Sequence, residues 1–214
     1  MRHPFTSRSL ILASLLAPAA LVPAHAMAAN ADVSAGDWLV RGGLTYVSPK
    51  SDNKDLAVAG NVDVGSDTRP TGSITYMFTD NVGLELLAAI PFKHDIRTEN
   101  LGKIGSVRHL PPTLSAQYHF NTASNARPYL GAGINYTYFF DEDTADVTGK
   151  DIDMDDSWGL ALQAGVDLAI ADDWFLNAEV RWIDIESTVR LDGDRLGTVE
   201  IDPWTFGMHI GYRF

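Results

Sequence analysis

Cysteine is absent from all 214 residues. A chain that reaches an oxidising compartment must then hold its fold without disulfides. Basic residues are scarce: 16 Lys and Arg stand against 28 Asp and Glu, a formal net charge of −12. Nucleic acid is therefore no expected partner, because binding it needs a basic footprint. After the first two dozen residues there is also no run of the roughly 18–20 apolar residues that a membrane helix requires. These absences would describe a soluble protein, except that a membrane β-barrel hides its apolar surface in alternation.

The one apolar run is N-terminal. Arg2, His3 and Arg8 precede a stretch from Leu10 to Val22, and small-residue sites follow at Ala24-His25-Ala26 and Ala26-Met27-Ala28. This pattern predicts a secretory signal peptide over 1–28, cleaved near 26–29, with 29–214 as a single domain. A retained anchor fits less well, since the run is short and contains Pro18 and Pro23. Without Arg2 and Arg8, 14 basic residues face 28 acidic ones, a charge of −14.

What fills the remaining chain is a period of two. Trp38, Val40, Gly42, Leu44 and Tyr46 share one face of 38–47. The same alternation runs through 70–78, 82–92, 109–120, 128–140, 158–168, 174–182 and 204–214. The apolar residues recur at i, i+2, i+4, which excludes amphipathic helices. The connections alternate between short (79–81, 121–126, 171–173) and long and polar (48–68, 93–107, 141–156, 188–199). Eight strands joined in this way predict an all-β, eight-stranded, antiparallel up-and-down transmembrane barrel.

A soluble sandwich would show similar alternation, and the aromatic residues separate the two. Trp38, Phe78, Tyr118, Phe120, Trp174, Tyr212 and Phe214 fall at the short-turn ends. Tyr46, Phe92, Tyr138, Phe140, Trp158, Trp182 and Trp204 fall at the opposite ends. Two girdles around an aliphatic band suit the two interfaces of a bilayer, whereas a sandwich core has no reason to sort its aromatics.

The stretches ELLAAIPFKH, VRHLPPTLSAQYHF, RPYLGAGINYTYFF, DSWGLALQAGVD and DPWTFGMHIGYRF occur in this order, and together they resemble the OmpW family of Gram-negative outer-membrane proteins. The resemblance spans most of the mature chain and weakens at 49–67 and 141–156. It implies an eight-stranded barrel in the cell outer membrane that passes small, largely apolar molecules, with a side opening in its wall. It also implies roles in stress adaptation and, in some members, as a colicin or phage receptor. Phe214 resembles the terminal aromatic signal read by the barrel-assembly machinery. Outer-membrane lipid and lipopolysaccharide are the other expected partners.

Catalytic and metal motifs are few. There is no HExxH, P-loop or GxSxG. Gly131-Ala132-Gly133 lies inside a strand, and its glycines share the inward parity with Gly83, Gly159, Gly165, Gly207 and Gly211, making room in a tight barrel. Asp151, Asp153 and Asp155 open like a calcium loop, but Asp156 and Leu162 stand where Gly and Glu are needed. No metal site and no cofactor are expected, though loose divalent bridging to lipopolysaccharide would suit so acidic a loop. A lipid-modifying enzyme would need a nucleophile, a histidine and a carboxylate on one face. Ser106, His109 and Glu99 are the nearest set, yet Ser106 and His109 face oppositely on a regular strand. A non-enzymatic barrel is the favoured reading. A structural or receptor barrel without transport remains beside it.

Parity assigns the lumen. Arg41, Glu85, Gln117, Asp167, Glu179, Arg181, His209 and Arg213 point inward in the periplasmic half, and Arg41 and Arg181 should pair with Glu85 and Glu179 as a charge plug. Val47, Leu87, Phe139 and Ile183, with Ala89 and Ala161, make the extracellular half a hydrophobic lumen. Eight strands leave little spare interior, so straight passage is not expected. A hairpin centred near Leu101 would set Pro91 opposite Pro111, with Pro112 beside it, and part the ladder there as a lateral opening. A kink that only shapes the loop is the plainer alternative.

Overall fold

The computed structural model describes residues 32–49, 62–98, 102–144, 152–191 and 194–214. The segment 1–28 expected to be a signal peptide, Glu99, Leu101 and Asp151 lie outside the described residues. The strands in chain order are β1 (Trp38–Ser48), β2 (Val62–Val64), β3 (Asp67–Met77), β4 (Val82–Ala89) and β5 (Phe92–Thr98). Next come β6 (Gly102–Leu110), β7 (Thr113–His119), β8 (Ala126–Thr144), β9 (Ile152–Met154) and β10 (Ser157–Ala169). The chain closes with β11 (Trp174–Ile183), β12 (Glu186–Leu191), β13 (Asp194–Glu200) and β14 (Trp204–Arg213).

Eight of these close on themselves in the order β1-β3-β4-β7-β8-β10-β11-β14, and β14 pairs with β1. Every ladder is antiparallel, which the short periplasmic turns dictate. The alternation becomes two surfaces. Val40, Leu44, Ile74, Leu84, Leu86, Leu130, Ile134, Leu160 and Ile210 are exposed on the outside. Arg41, Thr75, Glu85, Gln117, Asn135, Asn177 and Arg181 are buried within. A soluble domain would have the reverse. Only a surrounding hydrocarbon makes this arrangement stable.

The girdles form largely as parity predicts. Trp38, Phe78, Tyr118, Phe120, Trp174 and Phe214 are exposed at one end, and Tyr46, Tyr138, Trp158 and Trp204 at the other. Neighbouring rings pack along each belt, with centroids 4.9 Å apart for Trp174–Tyr212 and 4.7 Å for Tyr136–Trp158.

Phe92 is a correction: it is buried at 2% exposure instead of standing in the outer girdle. The β4–β7 ladder ends at Leu87↔Thr113 and the β5–β6 ladder begins at Phe92↔His109. Residues 88–91 therefore oppose 110–112, one residue more on one strand than on the other. A single extra residue exchanges the two faces, and the aromatic turns inward.

The long connections also carry more structure than their polarity suggests. β5 and β6 form a hairpin on the upper half of the 19-residue β8, and β12 and β13 form another that pairs with β9. A strand as long as β8 leaves an unpaired edge above the bilayer, and the β5–β6 hairpin covers it.

Candidate functional site

The lower lumen is filled by one hydrogen-bonded network. Arg181 Nη2 donates to Glu85 Oε1 at 2.7 Å and to Glu179 Oε2 at 3.3 Å. Gln117 Nε2 donates to the other Glu85 oxygen at 2.9 Å. Arg41 spends its guanidinium mainly on Asp167, at 2.7 and 3.2 Å, and on Thr75 at 2.8 Å. Its distance to Glu85 is 3.8 Å. Sequence parity marked Asp167 as inward without identifying it as the main partner of Arg41. The reason is spatial: β1 and β10 are separated by β14 and β11, and the pair meets across the lumen rather than along the wall.

The network continues without a charged gap. Asn177 Nδ2 donates to Asp167 at 2.8 Å and to the Tyr129 hydroxyl at 3.0 Å, and Tyr129 donates to Glu179 at 3.2 Å. His209 lies 3.1 Å from Asn177 Oδ1 and 2.9 Å from Thr71 Oγ1. His119 lies 3.0 Å from Gln117 Oε1 and stacks on Tyr129 with centroids 5.0 Å apart. Ions taken out of water must be paired, and here Arg41 meets Asp167 and Arg181 meets Glu85, each at 2.7 Å.

Glycines make the space. A Cβ on Gly165 would stand 2.4 Å from the Tyr129 ring, and one on Gly211 would stand 2.2 Å from the Phe175 ring. These two rings also flank Arg41, whose Cζ lies 5.5 Å from one centroid and 5.4 Å from the other. Phe175 also clusters with Leu39 and Met77, with Val33 against them. The segment before β1 crosses this end. Arg127 donates to the Val33 carbonyl, Arg213 to that of Asp32, and Gly36 N to Met77 O at 2.8 Å.

Above the network, Val47, Phe139, Ala161 and Ile183 are buried, Leu87 and Ala89 are half-buried, and Phe92 joins them. The upper lumen is not apolar all round. Thr113, Asn135, Thr137 and Ser157 are buried on the inward faces of β7, β8 and β10. Asn135 Nδ2 donates to Thr113 Oγ1 at 2.9 Å, and Thr137 Oγ1 donates to Asn135 Oδ1 at 2.6 Å. Parity would have found these residues had the polar members of the inward set been followed above the charges.

Pro91, Pro111 and Pro112 lie at the junction of the two ladders. Among the described residues no ladder pair joins 88–91 to 110–112, so Pro91 and Pro111 do not face each other as a pair. The extra residue at this junction is what displaces the expected register. The exposed edges are satisfied from elsewhere: the Pro111 carbonyl by Thr113 Oγ1 at 3.2 Å, and the Pro112 carbonyl by Tyr136 N at 3.0 Å. Ile90 N donates to Pro70 O at 3.1 Å on the β3 side. Beside the junction, the outer wall carries a depression of about 430 Å³ lined by Pro70, Gly72, Ile74, Leu86, Ala88 and Ile90. Gly42, Gly72 and Ala88 are Cα partners in one row, so three strands present almost no side chain there.

The set considered for lipid chemistry does not assemble into a described site. Glu99 is outside the described residues, and β6 shifts register between Ser106 and Arg108, so the regular strand assumed for Ser106 and His109 is interrupted. In the acidic loop, Asp155 receives Arg190 at 3.2 and 3.0 Å, and Asp156 receives the Tyr136 hydroxyl at 2.6 Å. Asp155 and Asp156 thus have protein donors.

Comparison with known proteins adds the family. The sequence model of the OmpW family matches residues 34–214. Outer membrane protein W of Vibrio cholerae serotype O1 is 45% identical over 193 residues, covering 84% of this chain and 89% of that protein. The crystal structure of the outer membrane protein OprG from Pseudomonas aeruginosa superposes with a TM-score of 0.75 at 35% identity, covering 86% of this chain and 98% of that one. A Pseudomonas aeruginosa protein named as dibenzothiophene metabolism operon protein PahQ is 24% identical over 190 residues, covering 83% of this chain and 88% of that protein.

Proposed function

This chain belongs to the OmpW family and is an outer-membrane β-barrel, and from that premise we propose that it carries small apolar or amphipathic molecules passively across the outer leaflet. In this reading the solute enters the upper lumen beside Val47, Leu87, Phe139 and Ile183. The network around Arg41, Glu85, Glu179 and Arg181 stops it from below. Moving a hydrocarbon through that network would break buried ion pairs, each costly to leave uncompensated. The remaining exit is sideways, past Pro91, Pro111 and Pro112.

The observation that carries this reading is the interrupted ladder beside a shallow, small-residue stretch of outer wall. In lipid, unpaired backbone is tolerated where it lines a cavity or finds substitute partners. Here Thr113, Tyr136 and Pro70 supply those partners. The relative named for a dibenzothiophene operon supports an apolar cargo. The chain is read as a non-catalytic barrel. Lipid and lipopolysaccharide are its expected surroundings, and the barrel-assembly machinery is its partner during biogenesis.

Purified protein in liposomes, given a panel of apolar and polar solutes, tests the reading. Uptake of apolar solutes above that of empty vesicles, with polar solutes of equal size excluded, is the expected result. Equal passage of both classes would mean an ordinary aqueous pore. Passage of neither would leave a structural or receptor barrel.

A further inference from the structure

Where the charged network meets the apolar wall, five buried polar atoms lack a hydrogen-bond partner: Ser115 Oγ, Gln163 Nε2 and Oε1, and Arg181 Nε and Nη1. They belong to one level of the lumen. Gln163 and Arg181 are Cα partners across β10 and β11. Arg181 crosses the lumen to Glu85, which is the Cα partner of Ser115. Gln163 and Ser115 lie over successive inward glycines of β8. A Cβ on Gly131 would be 2.6 Å from Gln163 Nε2, and one on Gly133 would be 2.6 Å from Ser115 Oγ. The next inward residues above, Ala161 on β10 and Ile183 on β11, are buried and apolar.

Below this level Arg41 is satisfied by Asp167 and Thr75, and His119 Nδ1 is a further buried atom without a partner, so the five gathered here are the larger group and not the whole deficit. Buried polar groups without partners are costly, and each calls for an explanation. The chemistry of the missing partner can be read from the groups. Arg181 and Gln163 Nε2 offer donors, Gln163 Oε1 accepts, and Ser115 does either. A carboxylate head is disfavoured because Arg181 is already shared between Glu85 and Glu179, and a third negative charge would lie beside them. An ammonium head would leave the Arg181 and Gln163 donors unpaired. An uncharged oxygen meets both demands, accepting from the nitrogens and, as a hydroxyl, donating to Gln163 Oε1.

We propose that Ser115, Gln163 and Arg181 form a head-group site for an uncharged oxygenated solute, an alkanol or alkyl carbonyl compound whose aliphatic body lies against Ala161 and Ile183. The proposal rests on the uptake reading for the route by which the solute arrives, and it narrows the cargo from hydrocarbon to oxygenated hydrocarbon.

Octane, 1-octanol and octanoate share a chain length and differ in the head. In detergent micelles, the Gln163 side-chain amide resonances should shift on titration with 1-octanol and respond far less to octane or octanoate. In proteoliposomes, Gln163→Leu and Ser115→Ala should each lower the ratio of octanol to octane uptake, by about tenfold for one lost hydrogen bond of about 1.4 kcal/mol. Gln163→Leu removes two unpaired atoms, so folding should persist, checked by migration on gels with and without boiling. An unchanged uptake ratio in both variants, or an equal amide response to all three probes, would overturn the site and leave it to ordered water. An amide response to octanol without uptake of any probe would support the site and overturn the transport reading.

Discussion

Arg181 on β11 and Glu85 on β4 stand on opposite sides of the barrel, and their side chains meet in the lumen at 2.7 Å with neither exposed to solvent. A contact of that kind braces the wall from inside. It is also where the charged lower lumen meets the buried apolar residues Ala161 and Ile183 above it.

Removing one partner should be far worse than losing a surface charge. Glu85→Ala leaves Arg181 with Glu179 alone and strands Gln117, and it should cost about 3–5 kcal/mol. Urea unfolding in detergent, followed by loss of the fast-migrating folded band, measures it. A loss no larger than that of an exposed substitution such as Glu186→Ala would mean the pair does not hold the barrel.

The glycine seats give a test of packing. Gly211→Ala brings a methyl group against the Phe175 ring and should destabilise by about 1–3 kcal/mol through overpacking. Phe175→Leu in the same chain should recover part of that loss. If the double variant is no better than the single one, the ring is not what the glycine accommodates.

At the junction, replacing Pro91, Pro111 and Pro112 with Val gives two strands back their N–H donors. Pairing across 88–91 and 110–112 should then extend, thermal stability should rise slightly, and uptake of an apolar solute should slow several-fold. Amide hydrogen exchange reports the pairing and liposome assays the flux. Unchanged flux through a folded, fully laddered barrel would remove the lateral exit.

Outside the bilayer, the hydrogen bond and charge of Arg190 hold the Asp155 carboxyl below its ordinary range. A carboxyl lowered in the folded state contributes stability above its unfolded pKa and loses it as pH falls through the folded value. The contact between β9 and β12 should therefore loosen only in acid, below pH about 4. Both side chains are nearly half exposed, so the effect stays local. In Arg190→Gln, carbon-detected NMR should show Asp155 titrating higher; an unchanged midpoint would mean the contact is not formed in solution.

The local chemistry of this chain is written along it. Alternation at period two sets which residues face lipid and which face the lumen, from Trp38 to Phe214, because a strand has only two faces and a bilayer rewards one of them. The same parity exposes Arg41, Glu85, Glu179 and Arg181 as inward charges and the glycines beside them as space. Sequence could not say that Arg41 meets Asp167, that Phe92 turns inward, or that Pro91 misses Pro111. Parity orders side chains along one strand, whereas those three facts depend on the stagger between strands and on one surplus residue beside the prolines. Closing the ring sets that stagger for all eight strands at once, and only the closed barrel brings β1, β4, β10 and β11 around a common lumen.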